Sequence, residues 1–280
     1  MLTNFQLLEK LIQENYIHVQ EHPSGDLRIY NYSPKAQYDR IWNEWTITCR
    51  GLILDRNYQI VARPFPKFFN VEEHQQEDIP LGNFEGGFEV YEKLDGSLGI
   101  LYPFDNQFFI ATRGSFSSKQ SQKATQILYQ KYAHTLTHIQ QGKTYLFGII
   151  YPENKIAIDY GAKEDLILLA VIDNQTGKDE VLPQIGFPLV KRYDGITDIH
   201  RLKNLQEDNK EGFVIKFASG FRVKVKFEEY VRLHRILTQV SSTNIWEFLA
   251  NKQSLDQVLE CVPDEFYNWV KKNRVVVQNV

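Results

Sequence analysis

The sequence predicts an α+β fold built on a largely antiparallel sheet, and three observations carry that prediction. Short segments rich in β-branched, aromatic or leucine residues follow one another from residue 26 to residue 227, many of them bounded by Gly, Pro, Asp or Asn. A single helical stretch, residues 117–139, separates two groups of them. Helical spacing takes over only beyond residue 230. Runs of strands with few helices between them favour an antiparallel sheet over the strict strand-helix alternation of doubly wound parallel folds.

The elements follow in order. Phe5, Leu8, Leu11 and Ile12 recur at helical spacing and Thr3 with Gln6 offers a capping box, so a helix comes first. Strands are predicted over 26–31, 45–54, 59–63, 87–92, 98–103 and 107–112, then over 144–150, 166–172, 212–217 and 221–227. Val231, Leu233, Ile236 and Leu237 begin a helical tail, Ile245, Phe248 and Leu249 continue it, and Phe266, Trp269 and Val270 close it. A boundary near residue 230 therefore divides a main domain, 1–230, from a helical appendage, 231–280. No internal repeat or long flexible linker intervenes.

Composition narrows the function classes. With 280 residues, 42% of them hydrophobic and 24% charged, the chain supports a sizeable core and is not of the disordered class. A formal net charge of −3 provides no global basic field, so any polyanion must bind a local patch. The longest apolar run, 166–172, is too short to span a bilayer, and the first residues lack the apolar core of a signal peptide, so a cytoplasmic location and no membrane partner are expected. Cys49 and Cys261 lie far apart without metal-ligand spacing, which suggests neither a disulfide framework nor a zinc site.

Lys93-Leu94-Asp95-Gly96-Ser97 is the first candidate for chemistry. Phe88, Val90 and Tyr91 have the character of a buried strand and Asp95-Gly96 is a strong turn dipeptide, so Lys93 is expected at a strand end, partly desolvated. Desolvation lowers the pKa of an ammonium, which frees the neutral amine that covalent catalysis needs. Alone, the K-x-D-G pattern of residues 93–96 fits a surface lysine beside a hairpin turn better; the rest of the chain decides.

In residues 221–227 the period is two. Arg222, Lys224 and Lys226 share one face and Phe221, Val223, Val225 and Phe227 the other, so three cations stand over an apolar face. Such a row becomes favourable when an anion such as a triphosphate lies on it. Glu211-Gly212 opens the preceding strand, and Glu211 or Asp95 is expected to bind Mg²⁺ directly or through its waters. Arg50 before Gly51, Arg113 before Gly114, and Lys67 beside Phe68-Phe69 add candidate phosphate contacts and an aromatic wall. The chain has no Walker-A loop, no G-x-G-x-x-G after a strand, no H-E-x-x-H and no G-x-S-x-G.

Lys93-x-Asp95-Gly96, Glu211-Gly212-Phe213-Val214 and Lys224-x-Lys226, in that order, resemble the motif set of the covalent nucleotidyltransferases, which include nucleic-acid ligases and capping guanylyltransferases. Arg50-Gly51-Leu52-Ile53-Leu54, Lys67-Phe68-Phe69-Asn70, Arg113-Gly114-Ser115, Tyr151-Pro152-x-Asn154 with Asp159-Tyr160-Gly161, and Lys226-x-x-x-Tyr230-x-x-Leu233-His234 resemble, more narrowly, the bacteriophage RNA ligase 1 family. The resemblance implies an ATP-grasp-like ligase domain that consumes ATP with Mg²⁺ or Mn²⁺. Lys93 would take AMP from ATP, the AMP would pass to an RNA 5'-phosphate, and an RNA 3'-hydroxyl would displace it, with a kinase or phosphatase healing the ends beforehand. It further implies Lys93 as nucleophile, Asp95 and Gly96 as shaping its turn, and Glu211 as positioning metal and lysine. Lys224 and Lys226 would stabilise phosphate charge, and Arg50, Lys67, Phe69, Arg113 and Tyr230 would lie around the nucleotide or RNA phosphates.

One position departs from the pattern. Where the resemblance leads us to expect a glutamate that bonds the ATP ribose, this chain has Gly148. Two other readings stay open here: a capping-type guanylyltransferase, against which the helical rather than OB-barrel tail speaks, and a nucleotide- or RNA-binding module without turnover, which Gly148 motivates.

Overall fold

A computed structural model describes residues 4–75, 86–205 and 207–237. The expected helices around Ile245 and Trp269, and Cys261, lie outside the described residues. Helix α1 (Phe5–Gln13) is capped by Asn4, whose side chain accepts from the Leu7 amide at 3.0 Å. It precedes strands β1 (Ile17–Glu21) and β2 (Leu27–Tyr32) and helices α2 (Pro34–Asp39) and α3 (Glu44–Thr48). Strands β3 (Arg50–Asp55) and β4 (Ile60–Ala62) complete a first antiparallel sheet in the order β1-β2-β3-β4. The strand predicted over 45–54 is thus half helix. Asn43 accepts from the amides of Trp45 and Thr46 while Thr46 Oγ1 accepts from the Asn43 amide, a reciprocal cap that overrides the β-branched composition.

Strands β5 (Phe88–Lys93), β6 (Ser97–Phe104) and β7 (Gln107–Ala111) lead into α4 (Lys119–Tyr132), and β8 (Lys143–Ile150), β9 (Asp165–Asp173) and β10 (Arg192–Tyr193) follow. After α5 (Ile199–Asn204), β11 (Gly212–Phe217) and β12 (Arg222–Lys226) form a hairpin, and α6 (Glu228–Leu237) ends the described chain. Two further antiparallel sheets result, β7-β6-β8-β9 and β10-β5-β11-β12. β1 and the two-residue β10 were not predicted. The expected boundary at residue 230 falls inside α6, where Tyr230 and Val231 still pack into the core of the third sheet.

Burial stacks these layers. On β3, Leu52 and Leu54 pack with Trp45 and α1, while Ile53 faces Ile100, Ala111 and Leu146 of the second sheet. The other face of that sheet, through Leu101, Phe147, Ile149 and Leu168, covers Ala124, Ile127 and Leu128 of α4. The third sheet buries Val90, Phe213, Ile215, Phe217, Val223, Val225 and Phe227 on one side, with Leu202 and Tyr230. Since side chains alternate along a strand, its other face carries the residues between these.

Candidate active site

That other face is a grid fixed by register. Lys93 lies opposite Gly212 and Gly212 opposite Lys226; the next row is Tyr91, Val214 and Lys224, and the third Glu89, Lys216 and Arg222. The grid forms one wall of a cleft of about 1070 Å³ where the three sheets meet. The second sheet contributes Leu98, Gly148 and Leu169 to the opposing wall, the turn after β7 Arg113, and the first sheet Asn31, Tyr32 and Arg50.

Lys93 ends β5 beside Glu211. Its Nζ lies 2.5 Å from Glu211 Oε1, and Lys226 Nζ lies 3.8 Å from the same oxygen. The carboxylate is nearly inaccessible, with 5% of its side chain exposed against 20% for Lys93. Two ammonium groups thus share one buried counter-charge, an arrangement that desolvation strengthens. Gly212 makes the approach sterically feasible: its φ is 146°, and a Cβ there would meet Val225 O at 2.0 Å.

Asp95 is enclosed and hydrogen-bonded on both oxygens. It is 3% exposed, its Oδ2 accepts from the amides of Ala157 and Ile158, each at 2.7 Å, and its Oδ1 accepts from the Tyr230 hydroxyl at 2.9 Å. These bonds make Asp95 an anchor for the turn after Lys93. Tyr230, expected at the nucleotide, is likewise buried against this carboxylate. The Asp95 amide donates to Tyr160 Oη at 2.9 Å, and burial pushes the Tyr160 phenol pKa up, which keeps it neutral. Gly96 completes the turn at φ 157°, where a Cβ would lie 2.8 Å from Ile149 O.

The cationic wall is only partly as expected. Lys224, Lys67, Arg50 and Arg113 line the cleft. Arg222 lines it too, but Asp179 grips its guanidinium through both nitrogens, Nη1 to Oδ2 at 3.0 Å and Nη2 to Oδ1, and it lies 4.5 Å from the Phe65 ring. It therefore ties the third sheet to the turn after β9. Phe69, expected near the nucleotide, is 3% exposed and packs behind Lys67, whereas Phe68 reaches the cleft with Arg50 over its ring at 5.4 Å. Arg113 donates to Tyr32 Oη at 3.1 Å. Tyr32, Gln37, Trp42 and Asp179 were missed; alternation along β2 assigns Tyr32 to the face of the buried Tyr30, and the register shift between Tyr30 and Asn31 that breaks this pattern has no local signal.

Part of the cleft lining is apolar, with Tyr91 and Val214 from the third sheet and Leu98, Leu169 and Val190 beside them. At its edge, Tyr91 donates to Glu89 at 3.0 Å, and burial together with that carboxylate raises the phenol pKa to about 12. Gly148 pairs with Leu98 and Ile167 on this wall. A Cβ at Gly148 would stand 3.0 Å from Leu94 Cδ1, the end of a flexible side chain.

For a divalent cation the donor set fits one arrangement. Among the described residues no three His, Cys, Asp or Glu converge on a metal position. Of the two candidate carboxylates, Glu211 is the one beside Lys93 and Lys226. Mg²⁺ is commonly held by one or two carboxylates with substrate phosphates and retained waters, and Glu211 suits that mode.

The structure is similar, over 99% of this chain and 72% of the other, to that of an Aquifex aeolicus protein provisionally named an ATP-dependent DNA ligase, at 19% identity and a TM-score of 0.59, a likeness of fold. The profile of the RNA ligase family matches residues 48–231, and the chain belongs to this phage-type RNA ligase family. An RNA ligase of Rhodothermus phage RM378 is 26% identical over 86% of this chain and 71% of its own length. A protein of Autographa californica nuclear polyhedrosis virus, provisionally named a bifunctional polynucleotide kinase/RNA ligase, is 27% identical over 81% of this chain. The match spans only 36% of that viral protein. Among the described residues no helix is long and apolar enough to cross a membrane.

Proposed function

We propose that the protein is an ATP-dependent RNA ligase that joins a 5'-phosphate to a 3'-hydroxyl through a lysyl-AMP and an RNA-adenylate. The observation that supports this reading best is the Lys93–Glu211 pair at 2.5 Å, set at the end of a cleft whose walls are apolar in one part and cationic in another.

In this reading the base lies between Tyr91, Val214 and the Leu98–Leu169 wall, and the phosphates lie toward Lys224, Lys67, Arg50 and Arg113. Lys93 must surrender a proton before its Nζ forms a bond to the α-phosphorus; the nearest acceptor is Glu211. The bond from that phosphorus to the bridging oxygen breaks, and pyrophosphate leaves with its charge balanced by the fixed cations. The 5'-phosphate of RNA then attacks the same phosphorus and releases the Lys93 amine, and the 3'-hydroxyl of a second end displaces AMP. Mg²⁺ or Mn²⁺ held by Glu211 would add positive charge to the phosphates. The anchor role of Asp95 and Tyr230 is to hold the turn so that Nζ meets phosphorus within reach.

Residues 1 to about 230 carry this chemistry, and the remainder, 231–280, is the appendage that selects RNA ends. The viral relative's name joins a polynucleotide kinase to an RNA ligase, which supports an end-healing kinase or phosphatase as partner. The test is incubation with Mg²⁺ and α-labelled ATP or GTP, followed by 5'-phosphorylated RNA. We expect label from ATP that stays on the denatured protein, is released by acid as a phosphoramidate is, and chases into RNA. Label from GTP alone would replace the ligase with a guanylyltransferase, and none from either would leave a binding module.

A further inference from the structure

We infer that Gln37 is a positioning residue for an anion site, holding the Lys67 ammonium at the cleft so that it meets the terminal phosphates of a polyphosphate. The inference rests on the functional reading for the identity of that anion and on geometry for the rest.

Lys67 is a buried lysine, 6% exposed, on the irregular segment between β4 and the third sheet. Both ends of it are tied. Its amide donates to Ile47 O at 2.7 Å, and its Nζ donates to Gln37 Oε1 at 2.7 Å. Between those ties the ammonium lies 5.3, 5.5 and 5.2 Å from the ring centres of Tyr32, Trp42 and Phe69. Aromatic faces attract a cation from any of several directions, so they confine it without aiming it. The hydrogen bond to Gln37 adds a fixed direction.

Gln37 itself is 8% exposed on α2, a helix capped by Ser33 and begun by Pro34. Burying an amide is unfavourable unless it is hydrogen-bonded, and here its carbonyl serves the lysine. An amide oxygen accepts from an ammonium without adding a negative charge to it; a carboxylate at the same 2.7 Å would cancel much of the field that an incoming anion feels. Arg113 reaches the same corner through Tyr32, whose hydroxyl accepts from its Nη1 at 3.1 Å. The structure thus places two separately braced cations around Tyr32 on the cleft wall. Their ligand class is a phosphate chain.

Inorganic tripolyphosphate is the probe, titrated calorimetrically into the full-length chain at fixed ionic strength, because its binding needs neither base nor turnover. Gln37→Met is expected to raise the Kd about tenfold, the effect of losing one hydrogen bond to a charged group. Gln37→Glu, which keeps the shape and the hydrogen bond, is expected to weaken binding at least as much, an outcome that a purely structural role for Gln37 does not produce. In a Lys67→Met background Gln37→Met is expected to change nothing further. Wild-type affinity in either Gln37 variant, additive effects in the double variant, or no tripolyphosphate binding by the wild type would overturn the inference. A wild type that shows this Gln37-dependent binding yet forms no adduct with ATP would remove the ligase reading and leave the anion site standing.

Discussion

The Tyr230 hydroxyl donates to Asp95 Oδ1 at 2.9 Å across 135 residues of chain. Helix α6 is thereby fastened to the turn that follows Lys93, through the carboxylate oxygen that the amides of Ala157 and Ile158 leave to it. Removing that hydroxyl leaves a buried carboxylate one donor short. Tyr230→Phe is expected to cost about 1–3 kcal/mol of stability, read from urea unfolding. An unchanged unfolding midpoint would show that the contact contributes nothing to holding the turn.

Glu211→Gln tests the proton-acceptor role. The amide keeps the size but takes the counter-charge away from both Lys93 and Lys226, which share its Oε1. Formation of lysyl-AMP is expected to slow by at least about 10²-fold, measured in single turnover with labelled ATP. A loss below fivefold would mean that another group accepts the proton.

Gly148→Glu restores the carboxylate that the resemblance leads one to expect. The position is extended and its only tight neighbour is the end of Leu94, so the larger side chain is accommodated by a rotamer change there. One charge-assisted contact to the nucleotide is worth about tenfold in rate, and adenylylation is expected to accelerate by that order. Gly148→Ala, which adds bulk without charge, is the control; equal rates in the wild type and the Glu variant would remove the ribose-contact argument.

Two histidines make stability depend on pH. His22 packs against Phe104 and Phe116, and His74 against Phe69 and Phe221; burial lowers both pKa values below 6.5 despite the raising effects of Asp26 and Glu73. A group whose pKa is lower folded than unfolded contributes stability that is present above the unfolded value and lost as pH falls toward the folded one. The melting temperature is therefore expected to fall on acidification from pH 6.5, and to fall less in His22→Phe. A melting temperature flat through that window would contradict the burial argument.

Much of this site was legible because it is written in local pattern. The period of two in residues 221–227 and the turn after Lys93 depend on neighbours within a few residues, and both elements form as β12 and the end of β5. What stayed hidden depends on distant partners. Nothing near Asp95 in sequence announces the amides of Ala157 and Ile158, so a carboxylate in a site read as a metal ligand. Arg222 read as a free cation because Asp179, which neutralises it, sits in the turn after β9. Tyr32 and Gln37 escaped for the same reason: their roles arise only when the first sheet folds onto the cleft. The helix over 44–48 was hidden by a local cause, the Asn43 cap, that composition outweighed.

The most direct test of the account is to locate the adenylate. After incubation with ATP and Mg²⁺ the protein is digested and the modified peptide sequenced by mass spectrometry. A single AMP on the Nζ of Lys93 is expected, absent from Lys93→Ala and strongly reduced in Glu211→Gln. AMP on any other side chain, or an adduct that survives Lys93→Ala, would contradict it.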